Sequence, residues 1–213
     1  LFACIFIYLS LFVAISLAGI ARPDYVEIGA VLTRAFATLA VLLLNLVLAI
    51  GPLSRLNTAF TALIPHRRHL GVVMFLVAAA HAGISTVMRH TGGVLNPLAS
   101  ILFGDLQFLS PREWPFEIFG LTALLILAAQ AVTSHDFWIA YLSPEGWKRL
   151  HMLGYAAYAL IVLHAVLGVV QESRNPVYAI LLAAGMIVLL VLHRKAAARE
   201  WAQDRVELTP DSE

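Results

Sequence analysis

Long apolar stretches without a charged residue are the feature that most limits how this chain can fold. They occupy residues 1–21, 28–53, 70–88, 118–134, 150–171 and 175–192, interrupted by a charge only at Arg34. A helix crosses the hydrocarbon core of a bilayer with about 20 apolar residues, whereas membrane barrels need alternating strands. Since 61% of residues are hydrophobic and 13% charged, we predict an all-α integral membrane protein with six transmembrane helices.

Flanking residues extend these stretches into predicted spans at 1–21, 28–53, 67–88, 117–134, 147–171 and 175–193. Together they define a transmembrane domain at residues 1–194, followed by a polar cytoplasmic tail at 195–213. Residues 1–21 lack a basic start and a small-residue cleavage site, so we expect a retained span and no signal peptide. Within the domain, spans 2–5 are expected to form a four-helix bundle.

The Lys and Arg residues fall mostly on one side of this arrangement. One side carries Arg55, Arg67, Arg68, Lys148, Arg149, Arg194, Lys195, Arg199 and Arg205, and the other carries Arg22, Arg89, Arg112 and Arg174. Basic residues concentrate in cytoplasmic loops. We therefore predict a multi-pass protein of a bacterial-type inner membrane with both termini in the cytoplasm.

Several cofactor classes are disfavoured by the residues present. The single cysteine, Cys4, cannot build a disulfide framework, an iron–sulfur cluster or a C-x-x-C-H haem attachment within this chain. No glycine-rich phosphate motif such as G-x-G-x-x-G occurs. We therefore expect no flavin or iron–sulfur cluster within the chain, and no nucleic-acid partner.

Histidines inside two of the predicted spans are the main functional signal. His69 and His81 lie in the third span, and His151 and His164 lie in the fifth. Both spans begin on the cytoplasmic side, and a rise of ~1.5 Å per residue puts the second histidine of each ~18–20 Å beyond the first. Ionisable side chains in a bilayer are costly and mark functional sites by default. Their matching depths predict two bis-histidine haems stacked across the membrane.

Helical geometry leaves the inner ligand of the third span open. At ~100° per residue, His151 and His164 are roughly 140° apart around a straight helix, and His69 and His81 are roughly 120° apart. His66 is only roughly 60° from His81 by the same arithmetic. Depth therefore favours His69 and angle favours His66, and we prefer His69 because His66 follows a proline.

Several motifs together resemble the ferric reductase-like transmembrane domain family. They are GPL at residues 51–53, RRHLG at 67–71 continuing to His81, the stretch 133–142, and WKRLH at 147–151 continuing to His164. This family includes NADPH oxidases, ferric reductases and the haem-binding subunit of a bacterial periplasmic methionine sulfoxide reductase. The resemblance covers about residues 28–192. It implies b-type haem and electron transfer from a cytoplasmic reductant to an external acceptor.

Arg34 lies near the external start of the second span. In the oxidase branch of the family, an arginine in a similar setting sits beside the outer haem, which implies the same place for Arg34. A buried guanidinium needs an anion, and a haem propionate supplies one. We therefore expect Arg34 to bind the cofactor and to raise its reduction potential.

Two departures from the oxidase pattern bear on the partners. Those enzymes carry another histidine four residues after the outer ligand of the third span, where this chain has Ser85, and this argues against superoxide production. They also continue into a flavin domain, for which this sequence is too short. We therefore expect a flavin or iron–sulfur donor on the cytoplasmic side, separate or fused. We also expect an external electron acceptor or a periplasmic redox partner that receives the electrons.

The resulting interpretation is a haem-carrying electron-transfer subunit of a membrane oxidoreductase, with His69, His81, His151 and His164 as axial ligands of the haem iron. Two alternatives remain open. One is a single-haem cytochrome b that uses only His81 and His164. The other is a membrane anchor, assembly subunit or transporter whose histidines are structural.

Overall fold

The computed structural model describes residues 2–18, 28–90, 96–103, 116–171 and 176–208. Within these ranges the chain is helical almost throughout and contains no strand, so the all-α prediction is confirmed. The helices are α1 (Phe2–Ala18), α2 (Ile28–Leu56), α3 (Arg67–His90), α4 (Pro97–Phe103), α5 (Phe116–Val132), α6 (Asp136–Ala165) and α7 (Val177–Leu208). A 3₁₀ segment covers Thr58–Leu63, and a π-helical segment covers Val166–Val170.

Helices long and apolar enough to cross a membrane account for four of the predicted spans: Ile28–Leu56, Arg67–His90, Asp136–Val170 and Val177–Arg205. Two shorter apolar helices, Phe2–Ser16 and Phe116–Val132, coincide with the predicted first and fourth spans. The protein is therefore an integral membrane protein. Six crossings and the sidedness of the termini stay predictions.

α6 contains a break that the sequence analysis did not predict. Ser143 has φ 62° and ψ 155°, a conformation rare for a residue with a side chain, directly before Pro144. The Ser143 hydroxyl accepts a hydrogen bond from the backbone N–H of Gly146 at 3.3 Å. Proline is well suited to the first position of a helix. The break therefore separates a short helix, residues 136–142, from the long helix that matches the predicted span at 147–171.

The packed core is centred on α2, which supplies about half of the buried apolar residues in the described ranges. α2 packs against α1, α3 and α7, while α5 packs against α6 and α3. Leu44, Met74, Leu127 and Ala157 meet in the core from the four helices α2, α3, α5 and α6. The backbones of α3 and α6 make little direct contact, which leaves a space between them.

α7 continues without a break from the predicted sixth span into the predicted tail. It continues through Leu208, so most of the segment predicted as a tail from residue 195 is helical, and residues 209–213 lie outside the described ranges. At ~1.5 Å per residue its 32 residues span ~48 Å, more than the ~30 Å hydrocarbon core. Arg55 pairs with Glu200 at 3.0 Å, and Arg199 donates to the carbonyl of Leu56. These contacts hold the extension against the end of α2.

Candidate cofactor site

A cavity occupies the space between α3 and α6. Its volume is about 230 Å³, and it opens at a mouth on the protein surface. α2, α3, α5 and α6 supply most of its largely apolar walls, and α4 and α7 contribute Ile101 and Tyr178. The four helices that supply most of the lining are those predicted to form the bundle.

Two of the predicted ligands, His81 and His164, line this cavity together. Their ring centroids are 6.3 Å apart, and their planes cross at 75°. Nδ1 of His81 lies 3.0 Å from the carbonyl oxygen of Thr33, and Nδ1 of His164 lies 2.9 Å from that of Phe116. A carbonyl only accepts, so each Nδ1 carries the proton and each neutral ring keeps its lone pair on Nε2.

This arrangement fits a metal held between two imidazoles. Two metal–imidazole bonds of about 2 Å each, with the radii of the two rings, place the centroids about 6 Å apart. The 6.3 Å separation of His81 and His164 matches that value. Hydrogen bonds from the second ring nitrogen to backbone carbonyls are the usual way to fix a ligating histidine. The cavity around the pair is largely apolar and open on one side, as the chemistry of a buried haem requires.

Arg34 lines the same cavity. No carboxylate among the described residues pairs with its guanidinium. His90, which also lines the cavity, is held by its Nδ1 at 2.9 Å from the hydroxyl of Ser100 on α4. Arg34 therefore lines the same cavity as His81 and His164, and its contact with a cofactor stays a prediction.

Two glycines of the site were missed by sequence reasoning. A Cβ on Gly120 would lie 2.8 Å from Cε1 and Nδ1 of His164, and a Cβ on Gly168 would lie 2.9 Å from the Phe116 ring. Small residues at such points let membrane helices approach closely. The sequence signal that could have identified these positions was a glycine inside an apolar helix. The sequence does not show which side chain of another helix each glycine contacts.

His151 lies in different surroundings from His164. Its ring stacks on Trp147 with centroids 3.9 Å apart, and its Nδ1 lies 3.0 Å from the Trp147 carbonyl oxygen. Its Nε2 is buried and has no hydrogen-bond partner within the described part of the chain. A buried polar atom without a partner is costly, and a lone pair on that atom is suited to bind a metal. α6 is regular between residues 151 and 164, so the offset of roughly 140° remains.

The structure does not bring His69 to His151. His69 and His66 are both exposed, and His69 is two residues beyond the start of α3. The neighbouring Arg68 covers the Trp147 ring at 5.2 Å and pairs with Asp136. Ligation by His69 or His66 stays a prediction.

Comparison with known proteins assigns the family. Residues 35–162 match the family described as "Ferric reductase like transmembrane component", which is more than half of the chain. The protein belongs to this family. The matched stretch contains His69, His81 and His151 and ends just before His164.

Curated relatives include two haem-binding subunits of protein-methionine-sulfoxide reductase. The subunit from Xanthomonas campestris is 34% identical over 158 residues, which is 71% of this chain and 62% of the relative. The subunit from Agrobacterium fabrum is 33% identical over 128 residues, 60% of this chain and 53% of the relative. The magnetosome protein MamZ of Magnetospirillum gryphiswaldense is 33% identical over 134 residues, 62% of this chain and 18% of MamZ. The chain thus spans less than two thirds of each, and no solved structure matches it.

Proposed function

We propose that this protein is a membrane b-type cytochrome that carries electrons from a cytoplasmic donor to an external acceptor. The observation that carries the proposal is the His81–His164 pair, with ring centroids 6.3 Å apart in an open cavity with largely apolar walls. Both Nδ1 atoms are bound to carbonyls, so both lone pairs lie on Nε2. The relatives named as haem-binding subunits support haem as the ligand.

Each residue of the cavity has a defined part in this function. His81 and His164 would hold the haem iron, and the carbonyls of Thr33 and Phe116 keep each ring in one tautomer and orientation. The guanidinium of Arg34, which lines the cavity, would pair with a haem propionate and stabilise negative charge there. Haem supplies reversible one-electron transfer when bound. The surrounding apolar side chains exclude water and ions from the electron path.

The second electron-carrying site lies around His151 at the cytoplasmic end. Its buried Nε2 without a partner supports ligation there, with His69 as the second ligand and His66 as its competitor. In this arrangement α1, α2, α3, α5, α6 and α7 are the six spans, with both termini cytoplasmic. A flavin or iron–sulfur donor meets the cytoplasmic end. The external partner is the catalytic part of a reductase, as the subunit names of the relatives suggest.

Haem quantification tests the proposal directly. Purified protein should show the α-band of a low-spin b-type haem on reduction with dithionite, and two haems per chain. His151→Ala should remove one equivalent. Protein purified with no haem absorbance would refute the cytochrome function and favour an anchor or transporter with structural histidines.

A single-haem cytochrome is the second candidate, and the exposure of His69 favours it. One haem per chain, retained in His151→Ala and lost in His164→Ala, would select this candidate. With two haems, comparison of His69→Ala with His66→Ala identifies the inner ligand, because only the ligand variant should lose low-spin haem. His135 serves as a control, since its Nδ1 already accepts a hydrogen bond from Phe137 N–H at 3.2 Å.

A further inference from the structure

We propose that Gly120 is a positioning residue that fixes the plane of the His164 imidazole and keeps the two axial rings of the cavity crossed. The inference rests on the proposed haem function and assigns a role to a residue that does not itself touch the iron. It combines three observations: the crossed rings, the carbonyl that anchors His164, and the absence of space for a side chain at Gly120.

The crossing of the rings is set from two different helices. The planes of His81 and His164 meet at 75°. His81 is anchored to α2 through the carbonyl oxygen of Thr33 at 3.0 Å. His164 is anchored to the first residue of α5, Phe116, at 2.9 Å. The ring turns only about its Cβ–Cγ bond, and a hydrogen bond from Nδ1 restrains that rotation within the broad angular range that such bonds tolerate, so a steric contact can narrow the range further.

Gly120 supplies that contact. A Cβ at this position would lie 2.8 Å from both Cε1 and Nδ1 of His164 and 3.2 Å from Cγ. These three atoms are on one side of the ring, so the bare backbone of α5 forms a wall against which the ring lies. The other neighbour is the Phe116 ring, with its centroid 5.3 Å away.

The Phe116 ring cannot move away easily. A Cβ on Gly168, one turn after His164, would lie 2.9 Å from Cε2 of Phe116, so this ring already fills the space up to the α6 backbone. His164 is therefore held between Gly120 and Phe116. A methyl group at residue 120 must rotate or displace the imidazole, since the contacting atoms belong to a ring and the surrounding backbone is helical.

Ring orientation has a measurable electronic consequence. When two axial imidazoles are crossed, the iron d orbitals that overlap with the ligand π electrons stay close in energy. The low-spin ferric centre then gives a strongly anisotropic electron paramagnetic resonance signal, with a large maximum g value. Rings turned towards parallel separate these orbitals and lower that value.

The test compares Gly120→Ala with Gly83→Ala and Gly71→Ala. Both control glycines lie on α3, where a Cβ would meet nothing within 4 Å. All three changes favour the helix by about the same amount, roughly 1 kcal/mol, so only the contact with His164 differs. The signal of the cavity haem is identified as the one that His164→Ala removes. We expect Gly120→Ala to shift that signal to a lower maximum g value, and both controls to keep it.

An unchanged signal in folded Gly120→Ala protein would overturn the inference. The wild-type spectrum is a second test that does not depend on the variant folding: a cavity haem with the signal of parallel rings would also overturn it. Wild-type protein without any haem would instead remove the proposed function, so the two failures are distinguishable.

Discussion

Replacement of His164 by alanine removes one of the two rings that face each other across the cavity. The two centroids are 6.3 Å apart, which leaves room for one metal bond to each ring and nothing more. In His164→Ala, His81 remains anchored to Thr33 and holds the iron from one side only. The expected product is a high-spin haem with one protein ligand, bound more weakly than in the wild type.

The expected loss of haem affinity in His164→Ala can be estimated from the difference between losing a metal ligand and losing a group that only orients one. Loss of a group that only orients a metal ligand costs about 10–100-fold in affinity. Loss of the ligand itself costs more, so haem affinity should fall by at least about 100-fold, or about 2.8 kcal/mol. Haem titration of the apoprotein measures this ratio, and the absorbance spectrum reports the spin state. Added imidazole fits the vacated space and should restore the low-spin spectrum.

His193→Ala is the matched control, because this histidine lies in the same type of helix but has no free lone pair. Its Nδ1 lies 2.9 Å from the carbonyl oxygen of Leu189, and its Nε2 lies 2.9 Å from the hydroxyl of Tyr155. It should keep both haem content and spin state. Low-spin haem at wild-type affinity in His164→Ala would refute the assignment of the cavity.

Three further changes test the cavity and the core. Arg34→Met should lower the midpoint potential of the cavity haem in a redox titration. Arg55→Met, which changes an arginine outside the cavity, should leave that potential unchanged. Equal midpoint potentials in Arg34→Met and the wild type would contradict the place given to Arg34. Ala157→Leu should destabilise the protein by about 1–3 kcal/mol in denaturant unfolding, because Ala157 is 0% exposed, while the exposed Ala156→Leu should have little effect. Tyr158→Phe removes a 3.2 Å hydrogen bond between α6 and α2 and should lower the free energy of unfolding by about 0.6 kcal/mol. A decrease above about 2 kcal/mol would be more than the loss of that hydrogen bond explains.

Much of the helical layout could be predicted because hydropathy is a local property. The start of α2 at Ile28 and of α3 at Arg67 agree with the predicted spans. The end of α7 could not be read in this way, because the helix continues beyond the apolar run. Good helix formers at residues 196–198 and the pairing of Glu200 with Arg55 sustain it there. That pair joins residues distant in sequence, and no local pattern reveals it.

In the candidate site, too, some features of the residues could be predicted from local sequence and others could not. Similar spacings of 12 and 13 residues along two helices predicted that His81 and His164 share a depth, and both line one cavity with Arg34. The same reasoning gave His69 and His151 a shared depth, but His69 is exposed. The depth of a histidine in the membrane depends only on its position along the helix. The neighbour that its side chain faces depends on how the helix is rotated in the bundle.

The sequence by itself therefore determined the membrane-embedded, all-helical character of the chain and the heights of its histidines, since both follow from local composition and the rise of a helix. Only the tertiary structure decided which nitrogen of each ring carries the proton, that the His81 and His164 planes cross at 75°, and that Gly120 leaves no room beside His164. These properties arise from contacts between helices, and their geometry is fixed only when the helices pack.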